Sequence, residues 1–219
     1  MTAQLLSTIQ LKRGVAILVA FVLLRAVSVR FGPPNLSLEP TPQSILWLVV
    51  VFLVMSVGLV YLGFTRWVRV DLGQWWRYDR KKVLRDVGWG ILGLIIAFIL
   101  TALYAAVAVA LGLVEVPTQT SVPSLAEVLL MQFFGFAIAG FQEETIFRGF
   151  AQDVLTERLG RWQGNILQGA IFSLAHIGYY PLDAWPMFFQ AFLVGIVFGW
   201  LRMKRGTLIA PWIAHGFFG

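Results

Sequence analysis

Long apolar runs separated by short polar or basic segments dominate the chain. A helix needs about 20 apolar residues to cross the hydrocarbon core of a bilayer, and seven stretches approach that length. They cover residues 14–30, 45–64, 87–114, 124–141, 163–180, 185–201 and 207–219. The pattern predicts an all-α fold, a polytopic membrane helix bundle with about seven transmembrane helices. We expect residues 1–219 to form a single integral membrane domain.

The two ends of the chain leave more than one interpretation open. The first apolar stretch has the length of a signal peptide, but Arg25 interrupts it and no small-residue cleavage site precedes Arg30. A retained first helix is therefore favoured. The last stretch, after Gly206, is short for a span. Either this helix ends inside the bundle, or the chain is a shortened version of a longer protein.

Basic residues concentrate between the apolar runs. The segment from Thr65 to Asp86 carries Arg66, Arg69, Arg77, Arg80, Lys81, Lys82 and Arg85 against Asp71, Asp79 and Asp86. Because cytoplasmic loops are enriched in Lys and Arg, this loop is predicted to be cytoplasmic, which places the N-terminus in the cytoplasm as well. The tryptophans of the loop predict that part of it lies along the lipid headgroups; they are Trp67, Trp75 and Trp76.

The composition supports a membrane protein and narrows its chemistry. Hydrophobic residues make up 58% and charged residues 13%, whereas soluble domains average about 45–50% and 25%. The formal net charge of +6 is explained by topology signals, so no nucleic-acid partner is predicted. The chain contains no cysteine, which excludes disulfides, thiolate metal sites and cysteine nucleophiles.

Five ionisable residues stand out among those in or directly after apolar runs, where burial of each costs about 2.5–3.5 kcal/mol on insertion scales. Glu143, Glu144 and Arg148 continue the run that begins at residue 124, and His176 and His215 fall inside predicted apolar helices. A carboxylate facing two imidazoles is a compact acid/base or ligand set, so we hypothesise one shared site. The alternative is that each histidine only forms a hydrogen bond with a neighbouring helix.

Spacing assigns different roles to the two carboxylates. Glu144 and Arg148 are four residues apart, so they share a helix face and can neutralise each other. Glu143 lies about 100° around the helix. It is therefore predicted to lack that partner and to point into a cavity. The alternative for Glu143 is an ordinary carboxylate in a solvated turn at a helix end.

Three further features concern the neighbouring helices. Phe172 precedes His176 by four residues and is expected to restrict its ring. Asn165 continues that face and offers another hydrogen-bonding group. Gly195 and Gly199 form a small-xxx-small pattern, which predicts close helix packing rather than a site.

The order of these motifs resembles the CAAX-processing and bacteriocin-processing (CPBP) protease family. The motifs are Glu-Glu-x-x-x-Arg from Glu143 to Arg148, Phe-x-x-x-His from Phe172 to His176, and His215 on a later helix; the motif-bearing part is 124–219. The resemblance implies an endopeptidase in the bacterial cytoplasmic membrane, acting on CAAX-type or bacteriocin- or pheromone-type substrates associated with the bilayer.

The resemblance also implies a role for each residue. Glu143 would activate water, His176 would assist it, and His215 would belong to the group that stabilises the oxyanion. The family usually has Asn or Asp four residues after the last histidine, where this chain has Gly219. Loss of one oxyanion donor costs on the order of 10²–10³ in rate, so this departure bears on activity.

Metal dependence has two interpretations. Zinc could be bound by Glu143, His176 and His215 with a water as the fourth ligand, as in open catalytic sites. The chain has no HExxH motif, and the sequence shows no carboxylate partner that would fix the histidine tautomers, because Glu144 is assigned to Arg148. We therefore favour a site without a metal or other cofactor.

Two other classes of protein are alternatives to this hypothesis. A proton-coupled transporter also buries Glu and His, but the two halves of the chain show no matching pattern. A non-catalytic membrane scaffold or immunity protein stays open as an alternative.

If each predicted helix crosses the membrane directly, Glu143 lies near the cytoplasmic end of its helix and His176 lies much deeper. The helix from about 124 to 158 is therefore expected to be tilted or displaced. The pattern sets no oligomeric state.

Overall fold

The computed structural model describes residues 6–31, 41–114 and 123–218. Within these ranges the chain is helical, with no strand and one isolated bridge between Ile177 and Tyr180, which confirms the predicted all-α class. Seven stretches of α- or π-helix are seen there, besides one 3₁₀ turn at Leu72–Gln74. They are α1 (Thr8–Phe31), α2 (Pro42–Val68), α3 (Val83–Ala110), α4 (Leu125–Leu159), α5 (Arg161–Leu174), α6 (Trp185–Arg205) and α7 (Ile209–Phe218).

Four of the described helices, α2, α3, α4 and α6, are long and apolar enough to cross a membrane. Only 22% of the apolar window of α2, and the same share of α3, is buried inside the protein. Exposed apolar faces of this extent are suited to contact with lipid. The membrane bundle is therefore confirmed in its coarser form, while the count of about seven transmembrane helices and the cytoplasmic N-terminus stay predictions.

Helix α4 alternates between two helical forms along its length. It contains π-helical turns at Phe134–Gly140 and at Glu144–Ala151, separated by the short α-helical piece Phe141–Glu143. Helix α2 changes in the same way, from α-helix over Pro42–Val51 to π-helix over Phe52–Val68. π-Helical turns occur often at functional sites. The predicted polar motif of α4 begins at such a junction.

Local signals in the sequence set several helix ends. Thr41 and Ser124 form capping boxes at the starts of α2 and α4, in which side chain and backbone exchange hydrogen bonds with the residue three positions later. Gly160 separates α4 from α5 with φ of 88°, and Gly206 ends α6 with φ of 69°. Both values lie in the left-handed region, which glycine adopts without a steric penalty.

Two apolar clusters form the core, and the middle of α4 runs between them. The first cluster joins α1, α2, α4 and α5 and includes Phe21, Phe64, Phe147 and Phe172. The second joins α3, α6 and α7 around residues such as Phe198. Helix α3 packs against α6 and α7, and α5 packs against α6. Any polar group between the clusters is consequently removed from solvent and from lipid.

The predicted stretch 163–180 is not helical throughout. Helix α5 ends at Leu174, and His176 lies in the turns that follow it. The prediction that His176 sits inside a helix is therefore wrong. Gly178 adopts φ of 89°, and Pro181 comes soon after it, so two residues that interrupt helices follow the histidine closely. Helix α3 also ends earlier than expected, at Ala110 rather than at residue 114.

Two of the three loop tryptophans form hydrogen bonds with α4, and one of them is buried, contrary to the prediction of a headgroup location. Trp75 is 4% exposed and donates a hydrogen bond to Asp153 Oδ2 at 3.0 Å. Trp76 donates to Thr145 Oγ1 at 3.1 Å and stacks on Phe141. A buried indole N–H needs an acceptor, and α4 supplies one to each ring. The prediction is wrong for the buried Trp75, and for the half-buried Trp76 it stays a prediction.

Other predictions concern the exposed Trp67 and residues outside the described ranges. Trp67 is 48% exposed, so its headgroup contact stays a prediction. Threading outward from the cytoplasmic basic loop also predicts that the Pro-rich segment 31–44 and the segment 115–123 lie outside the cell. Most of these two segments, residues 32–40 and 115–122, is outside the described residues. Gly219 also lies outside them.

Candidate active site

Glu144 is the centre of a buried polar cluster on α4. Its Oε1 accepts a hydrogen bond from Arg148 Nη1 at 3.1 Å and lies 2.7 Å from His215 Nδ1 on α7. Glu144 and Arg148 are both fully buried, and His215 is 7% exposed. The predicted pairing of Glu144 with Arg148 is confirmed. Glu144 also engages His215, so the prediction that no carboxylate fixes a histidine of this site is wrong.

Glu143 does have a charged partner. Arg25 Nη1 on α1 forms an ion pair with Glu143 Oε1, although 118 residues separate the two in sequence. Glu143 is 3% exposed and lies near the middle of α4. Glu143 does not share the Arg148 partner of Glu144, as predicted, but the alternative of a solvated turn at a helix end is wrong. Arg25 carried a signal in the sequence, since a charged residue within an apolar helix calls for a partner.

His215 lies between the two carboxylates. Its Nδ1 contacts Glu144, and its Nε2 lies 3.6 Å from Glu143 Oε2. The second distance exceeds the range of a hydrogen bond. Glu143 Oε1 is thus engaged by Arg25, while Oε2 faces the imidazole without a direct hydrogen bond to it.

His176 approaches the same cluster from the turn after α5. Its Nδ1 lies 2.8 Å from the carbonyl oxygen of Phe172. Because a carbonyl oxygen only accepts, Nδ1 carries the hydrogen and Nε2 is left with its lone pair in the neutral ring. The Phe172 ring lies 4.9 Å from the His176 ring and 6.2 Å from the His215 ring, centroid to centroid. Phe172 therefore restricts His176, as predicted, and also joins the two imidazoles.

Arg148 connects both apolar clusters to the site. Its guanidinium carbon lies 4.1 Å from the ring centroid of Phe172 and 5.5 Å from that of Phe198. Its Nη2 donates to the backbone carbonyl of Gly195 at 3.4 Å. Aromatic faces attract a cation, so these contacts offset part of the cost of burying the charge.

Gly195 and Gly199 serve close packing, as predicted. A Cβ atom at Gly195 would meet the Cα of Gly169 at 3.1 Å. Their carbonyls also accept hydrogen bonds, which the spacing pattern did not reveal: Gly195 from Gln168 at 2.8 Å and Gly199 from Gln152 at 2.9 Å.

Asn165 supports the fold rather than the charged cluster. Its Nδ2 donates to the carbonyl of Ile196 at 3.1 Å, and its Oδ1 accepts from Gln168 at 3.1 Å. These contacts tie α5 to α6. The hydrogen bonds of Asn165 do not join it to Glu143, His176 or His215.

The alternative zinc ligands are Glu143, His176 and His215. Among the residues that the structure describes, no group of three or more His, Asp or Glu side chains is arranged to hold a metal ion. Glu143 is also engaged by Arg25 through one of its two oxygens. A site without a metal stays a prediction, and no reaction step below depends on a metal.

A cavity of about 340 Å³ lies beside the N-terminal end of α1, away from the charged cluster. Its lining comes from α1, the segment after α2 and the C-terminal part of α4, and includes Gln10, Arg69, Asp71, Asp153 and Glu157. Glu143, His176 and His215 do not line it. The water-accessible cavity predicted around those three residues stays a prediction.

The fold and the site define a helical membrane protein with a buried cluster of two carboxylates, two guanidinium groups and two imidazoles. Residues 125–219 match the family model described as Rce1-like, type II CAAX prenyl endopeptidase. This match confirms the resemblance to the CPBP proteases, and the match covers every predicted site residue but not Arg25. The apolar helices and the match together indicate an integral membrane protein.

The chain is also similar to an uncharacterized 24.3 kDa protein of Escherichia coli. The two are 28% identical over 170 residues, which cover 74% of this chain and 71% of that protein. No solved structure matches the chain.

Proposed function

We propose that this protein is an intramembrane endopeptidase that cleaves membrane-associated proteins or peptides of the CAAX type or the bacteriocin or pheromone type. The match of residues 125–219 to a family of CAAX prenyl endopeptidases supports the reaction class. The observation that carries the proposal is the position of Glu143, which is buried between Arg25 and His215. Its Oε1 pairs with Arg25, whereas its Oε2 has no direct hydrogen bond to His215.

Peptide hydrolysis needs a nucleophilic water, a base for its proton, and donors where negative charge develops. Glu143 Oε2 is suited to the base, because its partner oxygen is held by Arg25 and the carboxylate is thereby oriented. A water bound at Oε2 gives its proton to the carboxylate as it attacks the peptide carbonyl. The same proton then passes from Glu143 to the leaving amine.

His176 assists the attacking water through Nε2. The hydrogen bond between its Nδ1 and the Phe172 carbonyl leaves Nε2 as an acceptor, and stacking on Tyr180, at 5.2 Å between ring centroids, limits ring rotation. A neutral imidazole with a fixed tautomer can accept a hydrogen bond from the attacking water.

His215 contributes to stabilisation of the oxyanion, and Glu144 orients it. The 2.7 Å contact with Glu144 fixes the ring through Nδ1, so Nε2 faces the region beside Glu143 Oε2 where charge develops. Donation to the oxyanion requires hydrogen on both ring nitrogens. Arg148 stabilises this arrangement through Glu144.

The test is cleavage by the purified protein in liposomes of quenched fluorescent peptides from the two substrate classes, with and without a prenyl group. Glu143→Gln is expected to lower the rate by about 10²–10⁴, the usual contribution of a general base. Glu157→Gln, an exposed glutamate on the same helix, is the matched control and should cleave normally. Full cleavage by Glu143→Gln would refute the proposed mechanism, and binding without cleavage by the unaltered protein would favour the non-catalytic alternative.

A further inference from the structure

Arg25 is the charged group of the site that lies outside residues 125–219. It is part of α1, its side chain is 15% exposed, and it reaches Glu143 across the first apolar cluster. Its guanidinium carbon also lies 5.1 Å from the ring centroid of Tyr179, in the turn that follows His176. Arg25 therefore contacts both the carboxylate of the proposed base and the segment that holds the second imidazole.

We propose that Arg25 is a further catalytic residue, which stabilises the oxyanion formed when the water activated by Glu143 attacks the peptide carbonyl. The inference rests on the proposed function. In the attack step the water oxygen forms a bond to the carbonyl carbon, its proton moves to Glu143, and the π electron pair of the carbonyl moves to oxygen. The negative charge thus leaves Glu143 and appears on the substrate.

The position of Arg25 suits this transfer of charge. The reacting atoms must approach within about 3–3.5 Å before the bond forms, so the oxyanion develops within a few ångströms of the carboxylate that Arg25 already contacts. A guanidinium has five N–H donors, and the ion pair with Glu143 uses Nη1. The remaining donors are available to the new anion while Glu143 becomes neutral.

Tyr179 keeps Arg25 in place during this change. A neutral Glu143 no longer attracts the guanidinium as an ion, whereas the aromatic face of Tyr179 continues to do so. Donors that are already positioned stabilise a developing charge without reorganisation in the reaction step, which is the main advantage of an oxyanion site.

Arg25→Met tests this role by kinetics and by binding. We expect kcat to fall by about 10²–10³ with KM nearly unchanged, because the interaction is made in the transition state. A peptide phosphonate, which mimics the tetrahedral oxyanion of the cleaved peptide, should bind more weakly by the same factor. Binding of an uncharged, uncleavable peptide of the same sequence should not change.

Arg205→Met is the matched control. Arg205 Nε contacts Asp86 Oδ1 at 2.6 Å, and the two side chains are 11% and 4% exposed, close to the 15% and 3% of Arg25 and Glu143. This variant also loses an interhelical ion pair, so its melting temperature should fall, but kcat and phosphonate affinity should be retained. A similar loss of kcat in both variants would assign Arg25 a structural role only.

Arg25→Lys replaces Arg25→Met in the same measurements if Arg25→Met does not fold. Because an ammonium lacks the planar fork of donors, we expect kcat and phosphonate affinity to fall together, each on the order of 10-fold. An unchanged kcat, or a loss of kcat without a loss of phosphonate affinity, would overturn the inference. An inactive Glu143→Gln beside a fully active Arg25 variant refutes the role of Arg25 alone. A fully active Glu143→Gln refutes the proposed mechanism, and absence of cleavage by the unaltered protein refutes the proposed function itself.

Discussion

Glu144→Ala should destabilise the protein far more than Glu143→Gln. Glu144 Oε1 is the acceptor for Arg148 and the contact for His215, and the alanine removes both interactions at once. Arg148 is fully buried, so its charge would lose its only hydrogen-bonded carboxylate and would have no solvent to replace it. Breaking a buried ion pair by removing one partner costs about 3–5 kcal/mol.

Glu143→Gln leaves a milder defect. The glutamine retains an oxygen that accepts from Arg25, and the Arg25 side chain is 15% exposed, whereas Arg148 is not exposed at all. The charge of Arg25 is therefore less isolated. Glu143→Gln should lose cleavage with little loss of folded protein, and Glu144→Ala should lose both.

Thermal melts in detergent, together with the yield of monodisperse protein, measure the difference. For a chain of this length, about 3–5 kcal/mol corresponds to a decrease in melting temperature on the order of 10 °C for Glu144→Ala. Lys82→Ala is the control, since the Lys82–Asp79 pair is at the surface with side chains 57% and 40% exposed, and its loss should not change the melt. A lower melting temperature for Glu143→Gln than for Glu144→Ala would show that the division between a catalytic and a structural carboxylate is reversed.

Two further predictions concern packing and metal. Gly195→Ala places a Cβ 3.1 Å from the Gly169 Cα and 3.2 Å from the Phe172 ring. We therefore expect a loss of about 1–3 kcal/mol in stability and lower activity. Gly88→Ala is the control: its Cβ meets nothing within 4 Å, so the melting temperature and the cleavage rate should not change. Equal behaviour of the two variants would contradict the packing role of Gly195. Purified enzyme should retain peptidase activity after exhaustive chelation and contain substoichiometric zinc by elemental analysis; activity that is lost on chelation and restored by about one equivalent of zinc would instead make the two histidines metal ligands.

The sequence alone determined the features that depend on neighbouring residues or on overall hydrophobicity. Long apolar runs predicted helices, because a backbone in lipid must satisfy its hydrogen bonds within the segment. The four-residue spacings of Glu144 with Arg148 and of Phe172 with His176 predicted contacts that the structure contains. The Glu144–Arg148 pair is fixed by helical geometry and needs no knowledge of the remaining chain. His176 lies in the turn after α5, and its contact with Phe172 is kept because Ala175 still has helical backbone angles.

The tertiary structure decided which groups from distant helices meet. Arg25 and Glu143 are 118 residues apart, and Glu144 and His215 are 71 apart, so no local periodicity relates them. Trp75 and Trp76 turned inward for a similar reason, since their acceptors are on α4. A buried charge or N–H group requires a partner, but the sequence alone does not identify which residue that partner is. The partner is chosen by the packing of whole helices, which brings α1, α4 and α7 together around Glu143.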